Sequence, residues 1–199
     1  MCRMGGWIPV HKVVYDQNDR KGKTNLYSLF IMDVSLGNKS YIYHFGYGYS
    51  KKRCTSIANW FINRYLHRHK LTIDIVHRSL KKDDCYGFCD VVNYSRPRDF
   101  TIELHSGMNE VDYTKTLLHE LVHLKQWVEG SLRLKSGKTH FRGMNVSDLD
   151  YMRQPHEFEA FTMQEILYKQ YNKYVFDYKG KKVRDNNFVL DNRLPKHIL

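Results

Sequence analysis

The chain has 199 residues, 42% of them hydrophobic and 27% charged, which suits one packed domain and argues against a disordered chain. Its net charge of +11 favours anionic partners without selecting one, and a solvated basic surface is the plain alternative. No uncharged run approaches the roughly 18 residues of a membrane span, and "MCRMGGWIPVHK" has no apolar stretch or cleavage site of a signal peptide, so a cytoplasmic protein with no membrane partner is expected.

Residues 1–50 read as an N-terminal β-hairpin extension. "LYSLFIMDVS" and "SYIYHFGYGYS" flank a plausible turn at Gly37-Asn38. "HFGYGYSKKR" looks superficially like a phosphate loop, but without Walker spacing or a strand-loop-helix setting it reads as a bend with aromatic cover. "RCTSIANWFINRYLHRHK" is the first helical pattern, with Ile57, Phe61, Tyr65 and Leu66 on one side. Three strand-like runs follow: "LTIDIVHR", with Leu71, Ile73 and Ile75 on one face, then "YGFCDVVNY" and "DFTIELHS". The last of these is expected to lie nearest a cleft, where an added strand could pair with its edge. Four residues of strand would hold Cys85 and Cys89 about 13 Å apart, too far for a disulfide. They read as two buried free thiols in a reducing compartment, the alternative being a C-x3-C zinc half-site that no second Cys pair supports.

"DYTKTLLHELVHLKQWVEG" is the strongest helix, with Asp112 as a suitable N-cap and Gly130 as a stop. Residues 131–150 look irregular, with short strand-like pieces at "LRLK" and "FRGMNV". A second strong helix begins at Pro155, a favoured first-turn residue. Residues 51–175 are thus expected to form one domain, and 176–199 a tail that adds at most a strand.

On the helix, steps of about 100° per residue place Leu117, Leu121, Leu124 and Val128 on one line, a core stripe. His119 and His123 fall opposite, about 40° apart, and can share one ion. Glu120 lies to the side of that pair, on the flank shared with Trp127. A zinc ion would acidify a water and polarise a carbonyl there, while Glu120 serves as general base and then acid. Histidines that merely pack are the alternative, and the uncharged setting of Thr116, Leu117, Leu121, Val122 and Leu124 speaks against it.

A catalytic zinc takes three protein ligands. Glu157, in the first turn of the second helix, and His140, in "GKTHFRGM", are both open choices for the third. Glu157 could equally be an ordinary acid favoured at a helix N-terminus. Small Ala160 would let the second helix approach the first, and Glu159 points away from Glu157. An oxyanion donor is also needed, with Tyr151, Tyr168 and His140 as choices.

"TLLHELVHLKQW", followed by "FRGMNV" and "YMRQPHEFEAF", resembles the small zincin-like metallopeptidases, often phage-encoded and labelled SprT-like. The resemblance covers about residues 52–172 and is specific at the two helices. Lys125 departs from the family's extended signature, where an apolar residue is usual. The downstream Pro-x-Glu-x-Glu-Ala motif falls on Pro155 to Ala160, which implies Glu157 as third ligand beside His119 and His123. SprT proper and its Spartan relatives, DNA-associated proteases, use a histidine placed much as His140 is. The resemblance implies an α+β fold, a minimal zincin with a small twisted sheet packed on the HExxH helix and a second, Glu-bearing helix. It also implies a Zn2+ cofactor, a protein or peptide substrate and hydrolysis of peptide bonds. The rival reading is a nucleic-acid-associated protein with an inactive metal site, and weak non-specific nucleic-acid binding is expected from charge alone.

Overall fold

Alternating apolar and polar residues build the central sheet. The structure, a computed structural model, describes residues 40–182. The first arm of the expected hairpin, its turn and Cys2 lie outside the described residues. Strands β1 (Tyr41–Gly46), β2 (Thr72–Arg78), β3 (Gly87–Val91) and β4 (Asp99–His105) form one sheet in the order β1-β2-β4-β3. The pairs β1-β2 and β2-β4 are parallel, and β3 runs antiparallel to β4. In β2, Ile73, Ile75 and His77 are buried and the residues between them are half-buried, as period-two alternation requires. Their β4 neighbours Phe100, Ile102 and Leu104 continue the same buried face.

Three helices complete the α and β mixture: α1 (Lys51–Tyr65), α2 (Glu110–Glu129) and α3 (Pro155–Lys182). Ile57, Ala58 and Phe61 of α1 share one core with Leu117, Leu121 and Leu124 of α2 and with the buried sheet face. Each such side chain contributes about 1.5–3 kcal/mol relative to exposure. Helix α2 is buried on nearly every side, because α1, α3 and the sheet all pack against it. Ala160 of α3 is fully buried, consistent with a close approach of α3 to α2. Between α2 and α3, strands β5 (Leu132–Lys135), β6 (Lys138–Phe141) and β7 (Met144–Asn145) make a small antiparallel sheet. No helix among the described residues is long and apolar enough to cross a membrane.

Several local expectations need correction. Strand β1 does not stand apart as an extension, since it pairs along its length with β2 of the main sheet. The α2 cap is Asn109, not Asp112. Its side chain accepts from the Asp112 N–H at 2.9 Å, while the Asp112 carboxylate accepts from Asn109 Nδ2 at 2.7 Å. Two cap-competent residues stand three apart, and capping at the first adds a turn that holds Glu110 and Asp112 at the positive helix end. Strand β4 is internal, so it does not offer its edge to a cleft. Among the described residues β3 pairs only with β4 and keeps the other edge open.

Helix α3 continues through residues 176–182 where a tail was expected, and "YVFDY" is helix rather than strand. Tyr171 and Tyr174, just before this stretch, lie beside Trp60 of α1, with ring centroids 5.4 and 6.4 Å away. "HFGYGYSKKR" does have a strand-loop-helix setting. Its glycines answer to space: a Cβ on Gly46 would lie 1.9 Å from the His77 carbonyl oxygen, and one on Gly48 2.6 Å from that of Ser106. Tyr49 stacks on Tyr113, which supplies the expected aromatic cover. Cys54 and Cys85 are buried and Cys89 is half-buried, none of them in a disulfide.

Candidate metal centre

The i, i+4 spacing of α2 brings the His119 and His123 Nε2 atoms to 3.1 Å from each other. Pro155 starts α3 so that Glu157 falls in its first turn, and Glu157 Oε2 lies 3.3 Å from each of those nitrogens. All three residues are buried, and together they could hold a metal ion. Ligand atoms around a tetrahedral ion with bonds of about 2.0–2.1 Å stand about 3.3–3.4 Å apart, close to the triangle seen here. Glu157 Oε2 is buried without a hydrogen-bond partner, as suits an oxygen meant for a cation.

The electrostatics agree with the geometry. Burial would raise the Glu157 carboxyl, but the imidazoles, His123 foremost, hold it well below the ordinary carboxylate range. Burial would lower His123, yet Glu157 outweighs it and pushes the imidazole up to about 9. Without a metal, one proton therefore sits where a cation would neutralise the group. Burial holds His156 down at about 4, and its Nε2 lies 3.5 Å from Glu157 Oε1.

Glu120 is buried but is not in the metal-holding group. It lies toward β3, where a Cβ on Gly87 would sit 2.7 Å from Glu120 Oε1 and 2.8 Å from Thr116 Cγ2. Burial pushes the Glu120 carboxyl up, Glu157 adds to this, and the two histidines pull the other way.

His140 is not in the group. It sits on β6 with its Nδ1 3.0 Å from the Lys138 carbonyl oxygen. Of the three residues considered as oxyanion donors, Tyr151 lies on the centre's side of the fold. Its ring is 6.3 Å from that of Phe161, which packs at 4.6 Å on His119. Tyr168 is eleven residues beyond Glu157 on α3, about 16 Å along the axis, beneath the Lys115 ammonium. Glu159 does point elsewhere: it pairs with Arg142 and accepts from Gln126 Nε2.

Sequence reasoning missed three neighbours of the centre: Gln126, His156 and Gly87. Gln126 was findable, since it lies three residues after His123 on the same helix face. His156 and Gly87 gave no local signal, because only the packing of α3 and β3 on α2 brings them close. The protein-family models, the curated proteins and the solved structures compared with this chain contain no match to it.

Proposed function

We propose that the chain is a zinc-dependent metallopeptidase with a minimal zincin-like fold, hydrolysing peptide bonds of protein or peptide substrates. The observation that carries this reading is the convergence of three buried acceptor atoms beside a separate buried carboxylate, Glu120. His119, His123 and Glu157 would hold the ion, which would supply Lewis acidity to a water and to the substrate carbonyl. Glu120 takes a proton from the attacking water at its carboxylate and returns it to the leaving nitrogen. Burial raises the basicity of its carboxylate, which favours that exchange. The open edge of β3 runs past Glu120 at Gly87 and offers backbone groups to an extended substrate.

The DNA-associated protease reading, with His140 as ligand, draws support from the charge of +11. The placement of His140 on β6, with its Nδ1 bonded to the Lys138 carbonyl and outside the converging group, weighs against it.

Glu120→Gln tests the proposal, with zinc content and cleavage of an unstructured protein such as casein measured on one preparation. Zinc should remain at parental content while cleavage falls at least about a hundredfold. Full cleavage by this variant would remove Glu120 from the mechanism.

A further inference from the structure

Gln126 is buried between the two helices that carry the proposed ligands. Its Nε2 lies 3.0 Å from the His156 carbonyl oxygen and 3.3 Å from Glu159 Oε2. Its Oε1 lies 2.9 Å from His123 Nδ1. A carbonyl and a carboxylate can only accept, so the amide must turn its NH2 toward them. Oε1 then faces the imidazole and can only accept in turn, which requires His123 Nδ1 to carry hydrogen and donate. With that hydrogen placed, the neutral ring keeps its lone pair on Nε2, the atom 3.3 Å from Glu157 Oε2. The backbone of His156 thus dictates the amide, the amide dictates the tautomer, and the tautomer aims the lone pair. The same amide ties α2 to the first turn of α3, one residue before Glu157.

We propose that Gln126 is a positioning residue, fixing His123 as its Nδ1–H form so that the Nε2 lone pair of the neutral ring faces Glu157. The proposal rests on the metal-binding reading above but not on peptide hydrolysis. Partners of this kind that hold a metal ligand are worth about 10–100-fold in metal affinity.

The test compares the full chain with Gln126→Met and Gln126→Glu. Two quantities are read: Zn2+ affinity by competition with a chromophoric chelator, and the His123 Nδ1 proton by nitrogen-resolved NMR of the metal-free protein at about pH 10, where the ring is neutral. The parent should show one zinc and a protected Nδ1 proton. Gln126→Met, similar in volume but without the acceptor, should lose that protection and about 10–100-fold in zinc affinity. Gln126→Glu keeps an acceptor opposite Nδ1, so it should keep the protected proton and lie closer to the parent in affinity. Equal losses in both variants would overturn the proposal, because packing alone would then explain them. So would a Gln126→Met protein with parental affinity and an intact Nδ1 proton. A parent that binds no zinc would instead sink the metal reading, leaving the Nδ1 proton to report on Gln126 separately.

Discussion

Two buried histidine sites touch helix α2, and they obey opposite rules. Near its N-terminus, His77 of β2 meets Tyr113. The Phe45 carbonyl can only accept, so His77 Nδ1 donates to it at 3.3 Å, and His77 Nε2 accepts from the Tyr113 hydroxyl at 2.7 Å. Both ring nitrogens are matched, and the pair serves to join α2 to the sheet. About three turns on, the same logic runs from the His156 carbonyl through Gln126 to His123, but there it leaves the neutral ring an unmatched Nε2 lone pair. His119 Nε2 and Glu157 Oε2 face that lone pair. A buried polar network that satisfies itself is architecture, whereas one that ends in converging acceptors needs a cation.

The largest expected break in this contrast is Glu157→Ala. It removes one of three ligands and the negative charge of the group. If apparent zinc binding of about 10–16 kcal/mol is shared evenly, affinity should fall on the order of a thousandfold. His140→Ala should bind zinc as the parent does. Chelator competition on both variants checks this, and the reverse pattern would move the third ligand to His140.

Zinc binding should depend on pH. A liganding imidazole must be neutral, yet metal-free His123 keeps its proton up to about 9, while Glu157 stays ionised well below the usual range. Zinc must therefore displace about one proton, so affinity should rise about tenfold per pH unit from about pH 6 toward 9 and then level off. Calorimetry in buffers of different ionisation enthalpy counts the released proton. An affinity flat across this range would contradict the coupling of His123 to Glu157.

The self-satisfied cluster should respond differently. Tyr113→Phe leaves His77 Nε2 buried without its donor and should cost about 1–3 kcal/mol in chemical denaturation. The zinc stoichiometry of the folded variant should not change. Loss of zinc with loss of this hydroxyl would show that the two clusters are not separate.

How much of this was legible in the sequence follows from the reach of each signal. The HELVH helix, its stop at Gly130 and the start of α3 at Pro155 are written in local spacing, and the structure has all three. The core stripe is buried as its periodicity requires. The pairing of β1 with β2 was not legible, because it joins strands thirty-one residues apart and parallel register leaves no turn signature. The Asn109 cap was missed because Asp112 is equally competent by type. The length of α3 was hidden because aromatic residues such as Tyr171 and Tyr174 favour strands until Trp60 offers them a surface to pack on.

The smallest expected effect concerns charge. With +11 overall, short DNA should bind weakly without sequence preference, and binding should fall steeply as salt rises. Fluorescence anisotropy at several salt concentrations reads this directly. Absence of binding even at low salt would leave the charge with another task, without touching the metal centre.

The central claim is that two imidazoles and one carboxylate converge to hold zinc. Zinc-edge X-ray absorption of the stoichiometrically loaded protein tests it most directly. The spectrum should show one zinc per chain, with nitrogen and oxygen neighbours at about 2.0–2.2 Å, a two-imidazole signature that persists in His140→Ala, and no sulfur at about 2.3 Å. A three-imidazole signature that falls to two in His140→Ala, a sulfur neighbour, or zinc that washes away on dialysis would contradict it.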